Sequence, residues 1–230
     1  MMEPMPTADT RLVLIRHGES KVTVERVIGG HRTCSGLSEL GRRQAERLRT
    51  RLSETGELAG SVLYSSNFPR AVETAEIVAS AISDEPVRIE AGFGEHDPGP
   101  DLDGLPFDEY VERYGSPDWS GDPHHDVFPG GETIAEFHLR VGSTLRRVVD
   151  LHRGRRIVVA CHGGVVDAVF RHLLRTSPTG GFDIWTTNTS LTEFVLPDTG
   201  GEAGSDRPTR VRLVRYNDAA HLAGLPTSTP

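Results

Sequence analysis

Residues 156–166 read RIVVACHGGVV. Ile157–Cys161 is an unbroken apolar run, the pattern of a strand buried on both faces. His162-Gly163-Gly164 follows at once, and Val165–Leu174 then carries helical spacing. The same grammar appears at residues 12–18, where the apolar run Leu12–Ile15 ends in Arg16-His17-Gly18. It appears again at Val62–Tyr64, which is followed by Ser65-Ser66-Asn67-Phe68-Pro69-Arg70. Pro69 suits the first turn of a helix running through Ala71, Ala75, Ile77, Val78 and Ile82.

Working outward, Ser38 is placed to cap a helix that includes Leu40, Ala45, Leu48 and Leu52, with its arginines on a solvated face. Ile134, Phe137, Val141, Leu145 and Val148 predict another helix, and Glu132 reads as a first-turn carboxylate. Leu191–Leu196 and Val211–Tyr216 read as strands joined by a polar, Gly-rich turn, hence an antiparallel pair at one edge. Residues 91–130 are rich in Gly, Pro, Asp and His, with one short helix expected at Phe107–Tyr114. A long irregular segment of this kind suits a lid or substrate-binding wall. The ending GLPTSTP reads as frayed.

Alternating strands and helices predict a three-layer α/β/α sandwich with a mostly parallel sheet and an antiparallel edge. No linker or repeat divides residues 1–230, so one domain is expected, its core at about 10–223. Two cysteines, Cys34 and Cys161, imply no disulfide framework. The opening MMEPMPTADT lacks the features of a signal peptide, and no apolar run could span a bilayer, so a cytoplasmic protein is expected. The formal charge of −8 speaks against nucleic acid, yet a local cationic pocket for an anion remains compatible with it.

In such sheets ligands bind beyond the carboxyl ends of the strands. That rule gathers Arg16, His17, Arg70 and His162 at one edge, with glycines that allow close backbone approach. Arginine forks pair bidentately with phosphate oxygens. They also disfavour a neighbouring imidazolium, which keeps a histidine neutral and nucleophilic. One histidine can attack phosphorus, the other can hydrogen-bond the oxygens, and a carboxylic acid must protonate the leaving alkoxide. The run His124-His125-Asp126 has neither separated positions nor helical spacing, so it reads as an exposed polar loop, and no metal or cofactor is called for. Asn188 reads as a turn or packing residue.

LVLIRHGES, SSNFPRAVETA and VVACHGGVV, with LSELGRRQA, FPGGET, NTSLTEF and YNDAAHL in order, closely resemble the histidine phosphatase superfamily, also called phosphoglycerate mutase-like. The resemblance implies His17 as the nucleophile, with Arg16, Arg70 and His162 as the phosphate cradle. It implies Glu95 as proton donor, Gly163 as a backbone phosphate contact, and Gly29 and Gly30 as a loop bordering the substrate. Thr23 stands where the family often has Asn and keeps a hydrogen-bonding hydroxyl. In EHDPGPDLDGL, Pro98 replaces the usual aromatic and one extra residue separates Gly99 from Gly104, which leaves Asp97 and Asp101 as alternative acids.

The implied activity is hydrolysis of a small phosphate ester through phosphohistidine. A mutase and a catalytically inactive phosphate-binding scaffold are the alternatives. Hydrolysis is favoured because Asp97, Asp101 and Asp103 would repel a second anionic group. Arg113 could supply a cation if the loop folds back.

Overall fold

The computed structural model describes residues 9–197 and 210–226. The expected turn at 198–209 and the last four residues of the frayed ending lie outside that range.

The chain runs β1 (Thr10–Arg16), α1 (Lys21–Val24), α2 (Glu39–Thr55), β2 (Val62–Ser65) and α3 (Pro69–Val78), then β3 (Arg88–Ile89) and α4 (Phe107–Tyr114). It continues through α5 (Ile134–Leu151), β4 (Arg156–Cys161), α6 (Gly163–Leu174), β5 (Leu191–Leu196) and β6 (Arg212–Asp218). The sheet order is β3-β2-β4-β1-β5-β6. The first three pairings are parallel and the two involving β5 antiparallel.

The pleat sorts the core. Leu12 and Leu14 of β1 face α5 and α6, packing with Phe137, Val141, Leu145, Val165 and Val169. Val13 and Ile15 face the opposite way, against Leu48 and Leu52 of α2 and Val78 of α3. This is the three-layer sandwich expected, because a strand covered on both sides must be apolar at every position.

Local chemistry sets the helix ends. Ser38 accepts from the Gly41 N–H at the start of α2, and Gly56 ends it in the left-handed conformation at φ 64°. Thr133 and Glu136 form a reciprocal capping box at α5. Glu132 therefore lies outside the helix rather than in its first turn, and it pairs with Arg140 at 2.7 Å. Helix α6 opens at Gly163, two residues earlier than its apolar pattern indicates. The helix after Pro69 tightens at Ala79–Ala81 into a 3₁₀ turn before reaching Ile82. The final strand ends at Asp218 rather than Tyr216. Arg51 departs from the solvated face expected of α2: it bonds Asp218 at 3.0 and 2.7 Å and ties that helix to β6.

A third apolar cluster, with Ile28, Leu102, Tyr110, Phe128 and Ile134, caps the carboxyl edge of the sheet. Most of it comes from the irregular segment 91–130. Among the described residues no helix is long and apolar enough to cross a membrane.

Candidate active site

Strand register decides what meets at the sheet edge. Arg16 of β1 lies opposite Cys161 of β4, and Ser65 of β2 opposite Ala160. The residues just beyond are locked in turn: His17 N–H donates to the Cys161 carbonyl at 2.8 Å and Ser66 N–H to the Ala160 carbonyl at 3.0 Å. His17, Ser66 and His162 thus emerge side by side, and the two imidazole centroids are 5.1 Å apart.

The tautomer of His17 follows from its partners. Its Nδ1 lies 2.6 Å from the Gly18 carbonyl, which can only accept, so Nδ1 carries the proton. Nε2 then presents a lone pair, and Arg70 Nε donates to it at 3.1 Å. Arg70 Nε also reaches His162 Nδ1 at 3.3 Å, and Arg70 Nη1 reaches the Gly29 carbonyl at 3.3 Å. Burial, then the charges of Arg70 and Arg16, hold His17 well below the usual imidazole range. His162 is held down by burial, Arg70, His17 and Arg16. Both rings are therefore neutral near pH 7.

Arg16 donates from Nη1 to the Thr186 carbonyl, while its Nε is buried without a partner. Burial, abetted by Arg70, lowers its pKa as well. Its Nε would stand 3.7 Å from a Cβ at Gly163, beside the first turn of α6. That turn has no side-chain cap. Unserved donors at a helix start and two guanidinium groups make a place for a tetrahedral anion.

Glu95 meets this turn from the irregular segment. One oxygen accepts from Gly164 N–H at 3.2 Å and the other from His96 N–H at 3.1 Å. A side chain at residue 164 would overlap Glu95 Oε1, so glycine permits the approach. Arg140 fastens the loop behind Glu95, donating to the carbonyls of Gly92, Gly94 and Glu95 while pairing with Glu132.

A cavity of about 650 Å³ opens over these groups and is walled by Arg16, His17, Arg70, Glu95 and Gly163 at one end. Thr23 and Gly29 also line it. His162, fully buried, does not reach its wall, and Gly30 is drawn off by a bond from its N–H to Asp103 Oδ1 at 3.0 Å. Neither Asp97 nor Asp101 lines the cavity; Asp97 caps Gly99 N–H at 2.9 Å. Asp103 spends its oxygens on Gly30, Arg32 and Thr33, so it is not poised to repel a ligand. Arg113 pairs with Glu109 on the surface and stays outside. His124 and His125 are exposed, and His125 faces Asp122 at 3.9 Å.

Several contributors went unread in the sequence. Ser66 Oγ holds His162 Nε2 at 2.7 Å. Asn188 does more than pack in a turn, for its Nδ2 donates to the His17 carbonyl at 2.8 Å. Ser66 was detectable from its place one residue past a strand; Arg140 offered no such signal.

The profile of the histidine phosphatase superfamily, branch 1, matches residues 12–204. The chain belongs to that superfamily. Among its relatives, phosphoglycerate mutase-like protein 4 of Arabidopsis thaliana is 35% identical over 191 residues, covering 81% of this chain and 80% of the relative. The metal-independent phosphoserine phosphatase of the same plant is 30% identical over 174 residues, covering 74% and 71%. Phosphoserine phosphatase from Entamoeba histolytica, solved with 3-phosphoglyceric acid, superposes with a TM-score of 0.72 at 25% identity, covering 93% of this chain and 99% of that one. A 2,3-bisphosphoglycerate-dependent phosphoglycerate mutase of Azorhizobium caulinodans is 31% identical over 180 residues, covering 75% and 85%, so the relatives include both phosphatases and a mutase.

Proposed function

We propose that this histidine phosphatase superfamily member is a phosphomonoesterase whose 230 residues act as one domain, with His17 as nucleophile. The observation carrying the reading is the bond from His17 Nδ1 to the Gly18 carbonyl, which leaves Nε2 unprotonated at the cavity wall. Nε2 attacks phosphorus in line while the ester P–O bond breaks. Arg16, Arg70, the first-turn N–H of Gly163 and the Thr23 hydroxyl hold the phosphoryl oxygens, while His162, buried behind them, accepts from Arg70 Nε and fixes that guanidinium. Glu95 gives its proton to the departing alkoxide, then takes one from a water. That water's oxygen forms the new bond to phosphorus, the P–N bond breaks, and inorganic phosphate leaves. The segment 91–130 supplies Glu95 and much of the wall that meets the alcohol.

Hydrolysis is favoured over isomerisation by the charges along the cavity. Among the described residues, the only arginine on its wall beyond Arg16 and Arg70 is Arg171, already bound to Asp167 at 2.6 Å. A mutase must also clamp the second anionic group of its intermediate.

Brief mixing with phosphorus-labelled phenyl phosphate should leave an acid-labile, alkali-stable phosphoryl group on the protein. His17→Ala should lose both label and turnover while remaining folded by circular dichroism; a folded variant that still turns over overturns the assignment. Supplying 3-phosphoglycerate with a trace of bisphosphate separates the alternatives, since a mutase forms isomer much faster than free phosphate.

A further inference from the structure

Beyond the phosphate end the cavity changes character. Ile28 and Phe107 line it, as do Trp119, Phe128, Phe137 and Trp185. Among these sits His96, only 6% exposed, with neither Nδ1 nor Nε2 hydrogen-bonded. Trp119, Phe137 and Phe128 surround its ring at centroid distances of 5.1, 5.7 and 5.9 Å. Burial outweighs the Glu132 and Glu95 carboxylates and the Glu132 backbone, which favour the charged ring, and no contact of either nitrogen reaches hydrogen-bond geometry. A neutral imidazole carries one donor and one acceptor, and burying both unserved is unfavourable.

Among the described residues, positive charge for a second anion is missing here. Arg171 bonds Asp167 and the carbonyls of Ser177 and Phe182. Burial holds His96 and His138 below the usual imidazole range, so neither is a cation near neutral pH.

We infer that this half of the cavity receives an uncharged aromatic alcohol portion of the substrate, with His96 reading its one hydrogen-bonding group. The substrate class is then an aryl or arylalkyl monophosphate bearing a hydroxyl or carbonyl, not a phosphorylated acid. This rests on the phosphomonoesterase reading and specifies what that site accepts.

The test compares benzyl phosphate, 3-hydroxybenzyl phosphate, O-phosphoserine and 3-phosphoglycerate on the wild-type chain. Benzyl phosphate should exceed the two acids in kcat/KM by about tenfold or more, from burial of its ring. The hydroxyl should add about fivefold, the worth of one hydrogen bond. His96→Phe should bring the two benzyl esters to parity, and His96→Asn, which keeps a donor and an acceptor, should retain part of the gap. Either acid as the best substrate, or an unchanged hydroxyl preference in His96→Phe, overturns the inference. Should no ester turn over, the phosphatase reading falls, and calorimetric binding of the same four esters decides the subsite. Tighter binding of the benzyl esters supports it, and tighter binding of 3-phosphoglycerate overturns it.

Discussion

Arg70 Nε lies 3.1 Å from His17 Nε2, so a cation is aimed at the lone pair proposed to attack phosphorus. The guanidinium can serve both histidines and still offer its fork to an anion, as an ammonium cannot. Arg70→Lys keeps the charge and should lower kcat/KM on phenyl phosphate by about 10²–10³-fold, the usual loss on removing a preorganised donor. Near-wild-type kinetics in a folded Arg70→Lys protein would move the cradle elsewhere.

Positive charge at the site comes from two arginines and the open start of α6, which together can offset a phosphate dianion. Exhaustive chelation should leave the rate intact. Loss of activity that one divalent ion restores would count against this division of labour.

Glu95 and Gly164 make a paired prediction. An alkyl ester needs its leaving oxygen protonated far more than a nitrophenyl ester does. Glu95→Gln should therefore slow alkyl esters by about 10²–10⁴-fold and nitrophenyl phosphate much less. Gly164→Ala should imitate it, since the new Cβ meets the far end of Glu95, with Cδ at 3.2 Å, and displaces the carboxylate rather than the fold. Equal losses on both ester types would reduce Glu95 to a structural role.

The legibility of this chain divides along physical lines. β1 and β4 could be read because strands covered on both faces must be apolar throughout, and strand ends in such a sheet place their next residues together. Hence the positions of Arg16, His17, Arg70 and His162 followed from the sequence. The one-turn α1 and two-residue β3 carry too few residues for any periodicity. Asp103 was expected to repel anions, whereas its carboxylate closes a turn around Gly30, a choice fixed by backbone N–H groups that no side-chain pattern displays. His96 follows no sequence pattern, because its place is defined by the aromatic rings around it and by two ring nitrogens without a hydrogen bond.

Arg140 shows the same gap and yields its own test. On a helix it reads as a solvated arginine, yet it binds three loop carbonyls and Glu132. We expect it to position Glu95 without touching substrate. Arg140→Lys should cost about 1–3 kcal/mol, because Glu132 loses its bidentate partner in a mostly buried setting. The specific readout is the ratio of alkyl to nitrophenyl rates, which should fall as it does in Glu95→Gln. Lower stability with an unchanged ratio would make Arg140 a brace for the fold alone.

Acidification should expose the depressed histidines. Burial and two arginines place the folded pKa values of His17 and His162 below the unfolded value of about 6.5. Below that value the unfolded chain binds more protons, so stability rises with pH there and is lost as pH falls. Each such group contributes a slope of about 1.4 kcal/mol per pH unit, ending at its folded pKa, and nothing above about pH 6.5. His221, pushed down to about 4, and His96, His138, His152 and His172, each depressed first by burial, add to the same slope, so a melting curve alone does not isolate the cradle. Sulfate does, being a tetrahedral dianion throughout this range. An anion in the cradle offsets the arginine charges and favours imidazolium, so binding is coupled to proton uptake. The increase in melting temperature caused by sulfate should therefore be larger at about pH 5.5 than at about pH 7.5. Replacing His17 and His162 by Asn should flatten that difference while leaving the slope from the other depressed histidines in place. A sulfate effect independent of pH in the wild-type chain would separate the anion site from the two histidines.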